Sequence, residues 1–188
     1  EDADFQNKSR DPAEFDCKRI QADYYARIAL IDDQFARLLE ALEESGQAEN
    51  TVVIFTSDHG ETLGDHGMLY KGCRFYEGLT RVPLIFHAPG QIKAGQQCDG
   101  LTELLDLSAS ILDLAGLEIP DEHQGHSLVP WLTGEKSSHE SPREFVRCEY
   151  FDALAAEFTG GNGTFATMHR TDRHKLVLYH SLYKGELF

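Results

Sequence analysis

The sequence predicts an α/β fold over residues 1–135, followed by a small antiparallel sheet over residues 136–188. Three observations support this: a long helical pattern near the start, a continuous apolar run after it, and a change to short strand-like runs in the last third. We therefore expect two domains: an incomplete α/β domain at 1–135 and an incomplete antiparallel subdomain at 136–188.

The first element is a predicted amphipathic helix from Ile20 to Glu44. Its apolar residues recur every three or four positions, which places them along one face of a helix. Gly46 follows as a natural C-terminal stop. The stripe consists of Ile20, Tyr24, Ile28, Ile31, Phe35, Leu38, Leu39 and Leu42. We expect this face of the helix to be buried.

Two apolar runs predict the strands of the α/β domain. The run at 51–56 is continuous and rich in β-branched residues, which is typical of a strand buried on both faces in the centre of a parallel sheet. A polar, glycine-rich loop separates it from a second predicted strand at 82–87, where Pro83 is tolerated near the start. Helical spacing then returns at 101–114, and Gly116 ends it.

The last third of the chain has a different pattern. Residues 120–141 read mostly as loop, with Trp131 and Leu132 as a buried anchor. Three short runs then predict strands at 144–150, 163–169 and 175–179, with a turn at 171–173 between the last two.

Composition limits the classes of partner. The chain has 32 acidic and 17 basic residues, for a formal net charge of -15, so we expect neither nucleic acid nor an anionic membrane as a partner. No stretch approaches the roughly 20 apolar residues that span a bilayer. The four cysteines show no metal-type spacing, so we expect them to be reduced and structural. Nothing in the sequence indicates a compartment or an oligomeric state.

The segment with most chemical content is Asp58-His59-Gly60, directly after the first predicted strand. Ligands bind at the carboxyl ends of strands in open α/β sheets. An acidic residue and a histidine side by side can turn toward one cation, and Gly60 permits a sharp bend beside them. The alternative is a strand-ending turn in which Asp58 caps local amides and His59 is solvated. Position after a buried strand favours the metal-ligand interpretation.

Two further groups lie in the following loop. Asp65-His66 repeats the pattern, but nothing in the spacing makes all four side chains converge on a zinc ion. We expect His66 to stabilise the loop by hydrogen bonding. Lys71 follows twelve residues after His59, and a loop lysine is ordinarily only solvated.

The residues around Lys71 resemble a known family. The runs FTSDHGETLGDHG (55–67), YKGCRFYEG (70–78) and TRVPLIFHAPG (80–90) are similar, in this order, to the sulfatases of the alkaline phosphatase superfamily. The resemblance continues more weakly at 104–120, 125–135 and 170–180. It implies an alkaline-phosphatase-like α/β/α layer, present in part, before the C-terminal sheet.

The resemblance implies roles for three residues. Asp58 and His59 match a pair of metal ligands, and Lys71 matches a lysine that contacts the sulfate group during catalysis. The implied cofactor is one divalent metal ion, calcium by family resemblance. Many sulfatases carry asparagine where this chain has His59, and an imidazole suits manganese, zinc or iron better than calcium. Tyr76 and its neighbours Glu77 and Arg81 match the motif as scaffold residues.

The resemblance also implies that part of the enzyme lies outside this chain. Sulfatases form a formylglycine nucleophile from a C/S-x-P-x-R motif. The triplet Ser141-Pro142-Arg143 does not meet that motif, because Glu140 and Glu144 occupy its outer positions. We expect a C-terminal fragment of a sulfuric ester hydrolase acting on a small-molecule or saccharide sulfate ester, inactive alone. The alternatives are a phosphonate monoester or phosphodiester hydrolase of the same superfamily, or a non-catalytic module.

Overall fold

A computed structural model of the chain describes residues 15–151, 165–180 and 184–188. Contacts within the chain divide it into two compact units, residues 1–90 and residues 91–188. The domain boundary expected between residues 135 and 136 rests on the change of sequence pattern, and it stays a prediction.

The first unit contains a long helix and a short antiparallel pair of strands. Its elements are α1 (Cys17–Glu44), β1 (Val53–Thr56), α2 (Glu77–Thr80) and β2 (Leu84–His87), with 3₁₀ turns at Ala48–Asn50 and Asp65–Gly67. In the register of β1 and β2, Val53 lies opposite His87 and Thr56 lies opposite Leu84. The expectation that β1 lies in a parallel sheet is therefore wrong for its pairing within the described residues.

Local signals at both ends define α1. The Asp16 side chain accepts a hydrogen bond from the backbone N–H of Arg19 at 3.1 Å, which caps the first turn. At the other end, Gly46 has a φ of 71°, and its N–H donates to the carbonyl of Glu43 at 2.9 Å. The left-handed conformation costs glycine little, so the predicted stop at Gly46 is confirmed.

The apolar stripe of α1 is only partly covered. Phe35 packs against Phe55 of β1, with ring centroids 5.5 Å apart, but no α1 residue is fully buried. Ile28, Ile31 and Leu38 of the predicted stripe are exposed. The helix has 28 residues and so is about 42 Å long, whereas a four-residue strand extends about 14 Å. A sheet of this size cannot cover the whole stripe, so the expectation of a continuous buried face is wrong here.

The small size of this sheet also explains why β1 is only half-buried. All four of its residues are half-buried, rather than enclosed on both faces as the apolar run predicts. Within the described residues β1 pairs with β2 alone, and one neighbouring strand and one helix leave part of its surface exposed.

The second unit contains two helices and a four-stranded antiparallel sheet. Its elements are α3 (Leu105–Leu114), α4 (Val129–Leu132), β3 (Val146–Phe151), β4 (Phe165–Arg170), β5 (Lys175–Tyr179) and β6 (Lys184–Leu187), with the strands in sequential order. The three predicted strands and the turn at 171–173 are confirmed, although residues 163 and 164 lie outside the described residues. The sequence pattern missed β6, whose residues lack β-branched side chains.

Helix α3 begins four residues later than the helical spacing predicts. The Asp106 carboxylate accepts the N–H of Glu103 at 2.8 Å, while the N–H of Asp106 donates to the carbonyl of Glu103 at 2.9 Å. These two hydrogen bonds close a turn between Glu103 and Asp106 that leads into the helix. Residues 101–104 therefore precede the helix, and the expected start at Leu101 is wrong.

Asp106 is also the centre of a buried polar cluster. It is fully buried and accepts hydrogen bonds from the N–H of His126 at 2.7 Å and from the Nε of Arg143 at 2.9 Å. A second guanidinium nitrogen completes a two-pronged contact. Burial raises the pKa of the Asp106 carboxyl, but the hydrogen bonds from Arg143 and the two backbone groups outweigh it and lower the pKa below its ordinary value. The carboxylate joins the start of α3 to two distant loop segments.

The remaining predictions about this chain concern its interior and its cysteines. Trp131 is buried, as expected, and its Nε1 donates to the carbonyl of Glu140 at 2.7 Å, whereas Leu132 is only half-buried. All four cysteines are free in this structure, and their reduced state stays a prediction. Burial raises the pKa of the Cys73 thiol to about 12. No helix in the described residues is long and apolar enough to cross a membrane.

Candidate active site

Asp58 and His59 lie in the first turn after β1, beyond its last residue Thr56. The hydroxyl of Thr56 donates to the carbonyl of Pro83 at 2.8 Å, and the hydroxyl of Ser57 donates to the carbonyl of His59 at 2.8 Å. These bonds fix the backbone as the strand ends. The side chains of Asp58 and His59 are 84% and 41% exposed, so both are accessible to a ligand.

The contacts of His59 define the tautomer of its ring. The Nδ1 atom lies 2.8 Å from the carbonyl oxygen of Gly60, which only accepts hydrogen bonds, so Nδ1 carries the proton. The Nε2 atom lies 2.6 Å from the Nζ of Lys71, which as an ammonium only donates. Nε2 must therefore present its lone pair. A neutral imidazole with a free Nε2 lone pair is the form that ligates a metal.

Asp58 faces the same nitrogen. Its Oδ2 lies 3.5 Å from His59 Nε2, while its Oδ1 accepts the N–H of His59 at 2.9 Å. That backbone hydrogen bond lowers the pKa of the Asp58 carboxyl, so the group is ionised at neutral pH. Two electron-rich atoms thus lie 3.5 Å apart, and positive charge beside them is favourable. The Lys71 ammonium supplies such a charge.

The separation of these two atoms is suited to a shared cation. Two ligands bound at about 2.1 Å to one ion, at tetrahedral or octahedral angles, lie about 3.0–3.4 Å apart. The 3.5 Å between Asp58 Oδ2 and His59 Nε2 agrees with this. Across residues 15–151, 165–180 and 184–188 no group of three or more His, Cys, Asp or Glu side chains converges for a metal. The described residues therefore bring together two candidate ligands at this position, Asp58 and His59.

The loop between Gly60 and Lys71 brings the lysine back to the histidine. The N–H of Gly60 donates to the carbonyl of Leu79 at 2.8 Å, which anchors the start of the loop against α2. A Cβ atom at Gly60 would lie 1.8 Å from the carbonyl oxygen of Gly78, so only glycine fits. The structure places Asp58, His59 and Lys71 together, as the sequence-based interpretation requires.

The second Asp-His pair has a different role. His66 stacks on the ring of Tyr76, with centroids 3.9 Å apart, and Asp65 begins a 3₁₀ turn. His66 therefore stabilises the loop by stacking, whereas the sequence led us to expect a hydrogen bond. The carbonyl of Tyr76 also accepts the N–H groups of Leu79 and Thr80, which agrees with a scaffold role for this motif.

Sequence reasoning missed one residue near the site. Thr62 is 2% exposed, and its hydroxyl donates to the carbonyl of Tyr70 at 2.5 Å, next to Lys71. A threonine in a polar, glycine-rich loop carries no sequence signal of burial, because its partner lies eight residues away and only the folded loop brings them together.

Comparison with known proteins identifies the family. The sulfatase family model matches residues 1–117, and a second model, N-sulphoglucosamine sulphohydrolase, C-terminal, matches residues 64–188. Arylsulfatase K of Gallus gallus is 37% identical over 163 residues, which cover 86% of this chain and 29% of that protein. The chain belongs to the sulfatase family.

Solved structures agree with this assignment. One is a protein in complex with its substrate D-glucosamine-2-N,6-O-disulfate, with a TM-score of 0.77, 32% identity, and coverage of 88% of this chain and 33% of that one. Another is the phosphonate monoester hydrolase of Agrobacterium radiobacter, with a TM-score of 0.77, 35% identity, and coverage of 92% and 35%. The predicted alkaline-phosphatase-like α/β fold with a C-terminal antiparallel sheet is confirmed. The chain spans about a third of the length of these proteins.

Proposed function

We propose that this chain forms part of the active site of a longer sulfatase, which hydrolyses sulfate esters of small molecules or saccharides. The observation that supports this most directly is the juxtaposition of Asp58, His59 and Lys71 at the end of β1. The ionised carboxylate of Asp58 lies 3.5 Å from His59 Nε2, and the Lys71 ammonium lies 2.6 Å from the same nitrogen. All three side chains are accessible. In a member of the sulfatase family, this set is suited to holding a cation beside a sulfate group.

Asp58 and His59 are proposed as two ligands of one divalent metal ion. When bound, such an ion acts as a Lewis acid that polarises the sulfate ester and stabilises negative charge on its oxygens. Asp58 offers a carboxylate oxygen and His59 offers Nε2, because the contact of Nδ1 with the Gly60 carbonyl orients the ring and selects this tautomer. Family resemblance favours calcium, whereas the imidazole favours manganese or zinc. The remaining ligands and the formylglycine nucleophile are proposed to lie in the part of the parent protein outside this chain.

Lys71 is proposed to bind the sulfate group and to neutralise charge that develops on its oxygens in the transition state. In this structure its ammonium donates to His59 Nε2. One lone pair cannot serve both a lysine and a metal, so a metal held at Nε2 would leave the ammonium available to an anion. The long flexible side chain of lysine then lets the charge turn toward an anion next to the metal ligands.

A second candidate function is hydrolysis of phosphonate monoesters or phosphodiesters. It is favoured by the 35% identity to the Agrobacterium radiobacter enzyme and by the imidazole at position 59. Sulfate and phosphonate esters present similar tetrahedral oxygens to a lysine and a metal. Parallel measurements of kcat/KM on an aryl sulfate and a phenyl phosphonate with the full-length parent separate the two. A larger value for the phosphonate would overturn the sulfatase assignment.

The role of Lys71 is tested by Lys71→Ala in the full-length parent. We expect kcat/KM for an aryl sulfate to fall by about 10²-fold or more, because one charged donor to the transition state is lost. Lys18→Ala, at an exposed lysine in the first turn of α1, is the matched control and should leave kcat/KM unchanged. The 188-residue chain alone should show no turnover above buffer. A folded Lys71→Ala parent with near-normal kcat/KM would show that Lys71 is only a solvated surface residue.

A further inference from the structure

The Thr62 hydroxyl is a buried polar group in the loop that joins His59 to Lys71. Thr62 is 2% exposed, whereas Asp65, His66 and Tyr70 of the same loop are exposed. Its Oγ1 lies 2.5 Å from the carbonyl oxygen of Tyr70 and 3.4 Å from Oε1 of Glu61. A hydroxyl has one proton to donate, and the shorter contact takes it. A buried hydroxyl is therefore directed at the peptide group that joins Tyr70 to Lys71.

The backbone on both sides of Lys71 has an unusual conformation. Tyr70 has a φ of 66° and Gly72 a φ of 56°. Glycine adopts this left-handed region readily, but a tyrosine does so at a cost in energy, and such residues persist only where their surroundings hold them. The Thr62 hydroxyl donates to the Tyr70 carbonyl and holds it in place. Its bond thus offsets backbone strain next to the proposed sulfate ligand.

The position of Thr62 is itself well defined. Its carbonyl accepts the N–H of Asp65 at 2.8 Å, and its N–H donates to Oε1 of Glu61 at 2.9 Å. The preceding Gly60 is held against α2 by its bond to the Leu79 carbonyl at 2.8 Å. Thr62 therefore belongs to the rigid, His59-side arm of the loop, and its hydroxyl reaches across to the Lys71-side arm.

We propose that Thr62 is a positioning residue for Lys71. By holding the Tyr70 carbonyl, its hydroxyl sets the direction in which the Lys71 side chain leaves the backbone, and so keeps the ammonium within reach of an anion next to Asp58 and His59. The proposal rests on the catalytic role of Lys71 given above. It predicts that Thr62 acts on the reaction only through Lys71.

The test uses Thr62→Val and Thr62→Ser in the full-length parent, with kcat and KM measured on an aryl sulfate. Valine keeps the shape of threonine and removes the hydroxyl, whereas serine keeps the hydroxyl. We expect Thr62→Val to lower kcat and kcat/KM together by about 10- to 100-fold, because misplacement of a catalytic group by about 1 Å costs that much. Thr62→Ser should stay within about threefold of the parent, since its hydroxyl still reaches the carbonyl. Thr80→Val is the matched control, because the Thr80 hydroxyl donates to the carbonyl of Tyr76 at 3.2 Å in the same unit.

A double variant separates positioning from general stability. In a Lys71→Ala background, Thr62→Val should change kcat/KM less than about twofold, because its effect requires the ammonium. An equal loss in both backgrounds would overturn the proposal and assign Thr62 to structure alone, as would a Thr62→Val parent with full activity. If Lys71→Ala is itself fully active, the proposed function fails first, and the two failures are therefore distinguishable. If the valine variant does not fold, Thr62→Ala replaces it, since alanine places no methyl group against the carbonyl.

Discussion

The buried pair of Asp106 and Arg143 makes the sharpest prediction about stability. The change is Arg143→Met, which keeps an unbranched side chain and removes the guanidinium. The Asp106 side chain is completely buried and that of Arg143 is 10% exposed, so solvent cannot replace the lost partner. The variant also loses the contacts of Arg143 with the carbonyl of Gln124 at 3.0 Å and with Glu103 at 3.3 Å. Removal of one partner from a buried ion pair typically costs about 3–5 kcal/mol.

The remaining contacts of Asp106 indicate that the loss of stability in Arg143→Met lies in the lower half of this range. The N–H groups of Glu103 and His126 still donate to the Asp106 carboxylate after the change, at 2.8 and 2.7 Å. They partly compensate the uncovered charge, so we expect the free energy of unfolding to fall by about 3–4 kcal/mol. This is a large share of the roughly 5–15 kcal/mol that stabilises a domain.

Urea unfolding of the 188-residue chain measures the effect, and an exposed ion pair in the same unit is the control. Arg147 contacts Glu149, and their side chains are 58% and 51% exposed. The same substitution at Arg147 should cost less than about 1 kcal/mol, because water screens the pair. A loss of less than about 1 kcal/mol in Arg143→Met as well would refute the reasoning.

The pH dependence provides an independent check of the same pair. The pKa of the Asp106 carboxyl is lower in the folded protein than its ordinary value, so the folded state binds fewer protons here than the unfolded state. The stabilisation is therefore fully present above the ordinary pKa of about 3.9 and is lost as the pH falls through the lower folded value. The difference between Arg143→Met and the unchanged chain should shrink below about pH 4. A difference that is constant between pH 7 and pH 3 would exclude a charged Asp106 as its source.

Two other predictions concern the site. Gly60→Ala should destabilise the chain by about 2–3 kcal/mol or more, because its Cβ would lie 1.8 Å from a carbonyl oxygen. Gly78→Ala is the control and should be tolerated, because the nearest atom to a Cβ there is 3.5 Å away. Equal urea midpoints for the two variants would contradict this close-packing argument. In the full-length parent, His59→Asn should lower the affinity for manganese and zinc relative to calcium, because an amide oxygen would replace a nitrogen ligand. Metal-free parent and variant are each incubated with one of the three ions, and the bound ion is measured by elemental analysis. Equal relative affinities in the two proteins would remove His59 from the ligand set.

Local features of this chain were predictable because their causes lie within a few residues. Helix α1 and its end at Gly46 follow from helical periodicity and from glycine's access to positive φ, and strands β3, β4 and β5 follow from their apolar and β-branched residues. Asp58, His59 and Lys71 were identified from motif order. Their adjacency agrees with the structure, and their chemical roles stay proposals.

Features that depend on distant partners were not predictable in the same way. Strand β1 pairs with β2 in the antiparallel direction, whereas its apolar run led us to expect a parallel sheet. An apolar run indicates burial but does not indicate the direction of the neighbouring strand. The exposure of Ile28, Ile31 and Leu38 depends on how much surface packs against α1. Strand β6 has weak intrinsic preference and forms because β5 offers it an edge to pair with.

The polar contacts near the candidate site and in the second unit depended most on the tertiary structure. The Thr62 hydroxyl meets the Tyr70 carbonyl only when the loop closes, and the Asp106 carboxylate meets Arg143 across 37 residues. Neither residue type signals such a role, since threonine and aspartate are ordinarily found in solvated loops. Residue identity and order were sufficient to assign the family and its motif. Which hydroxyl contacts the backbone next to Lys71, and which carboxylate is buried, followed from the three-dimensional path of the backbone, because a hydrogen bond requires atoms within about 3 Å.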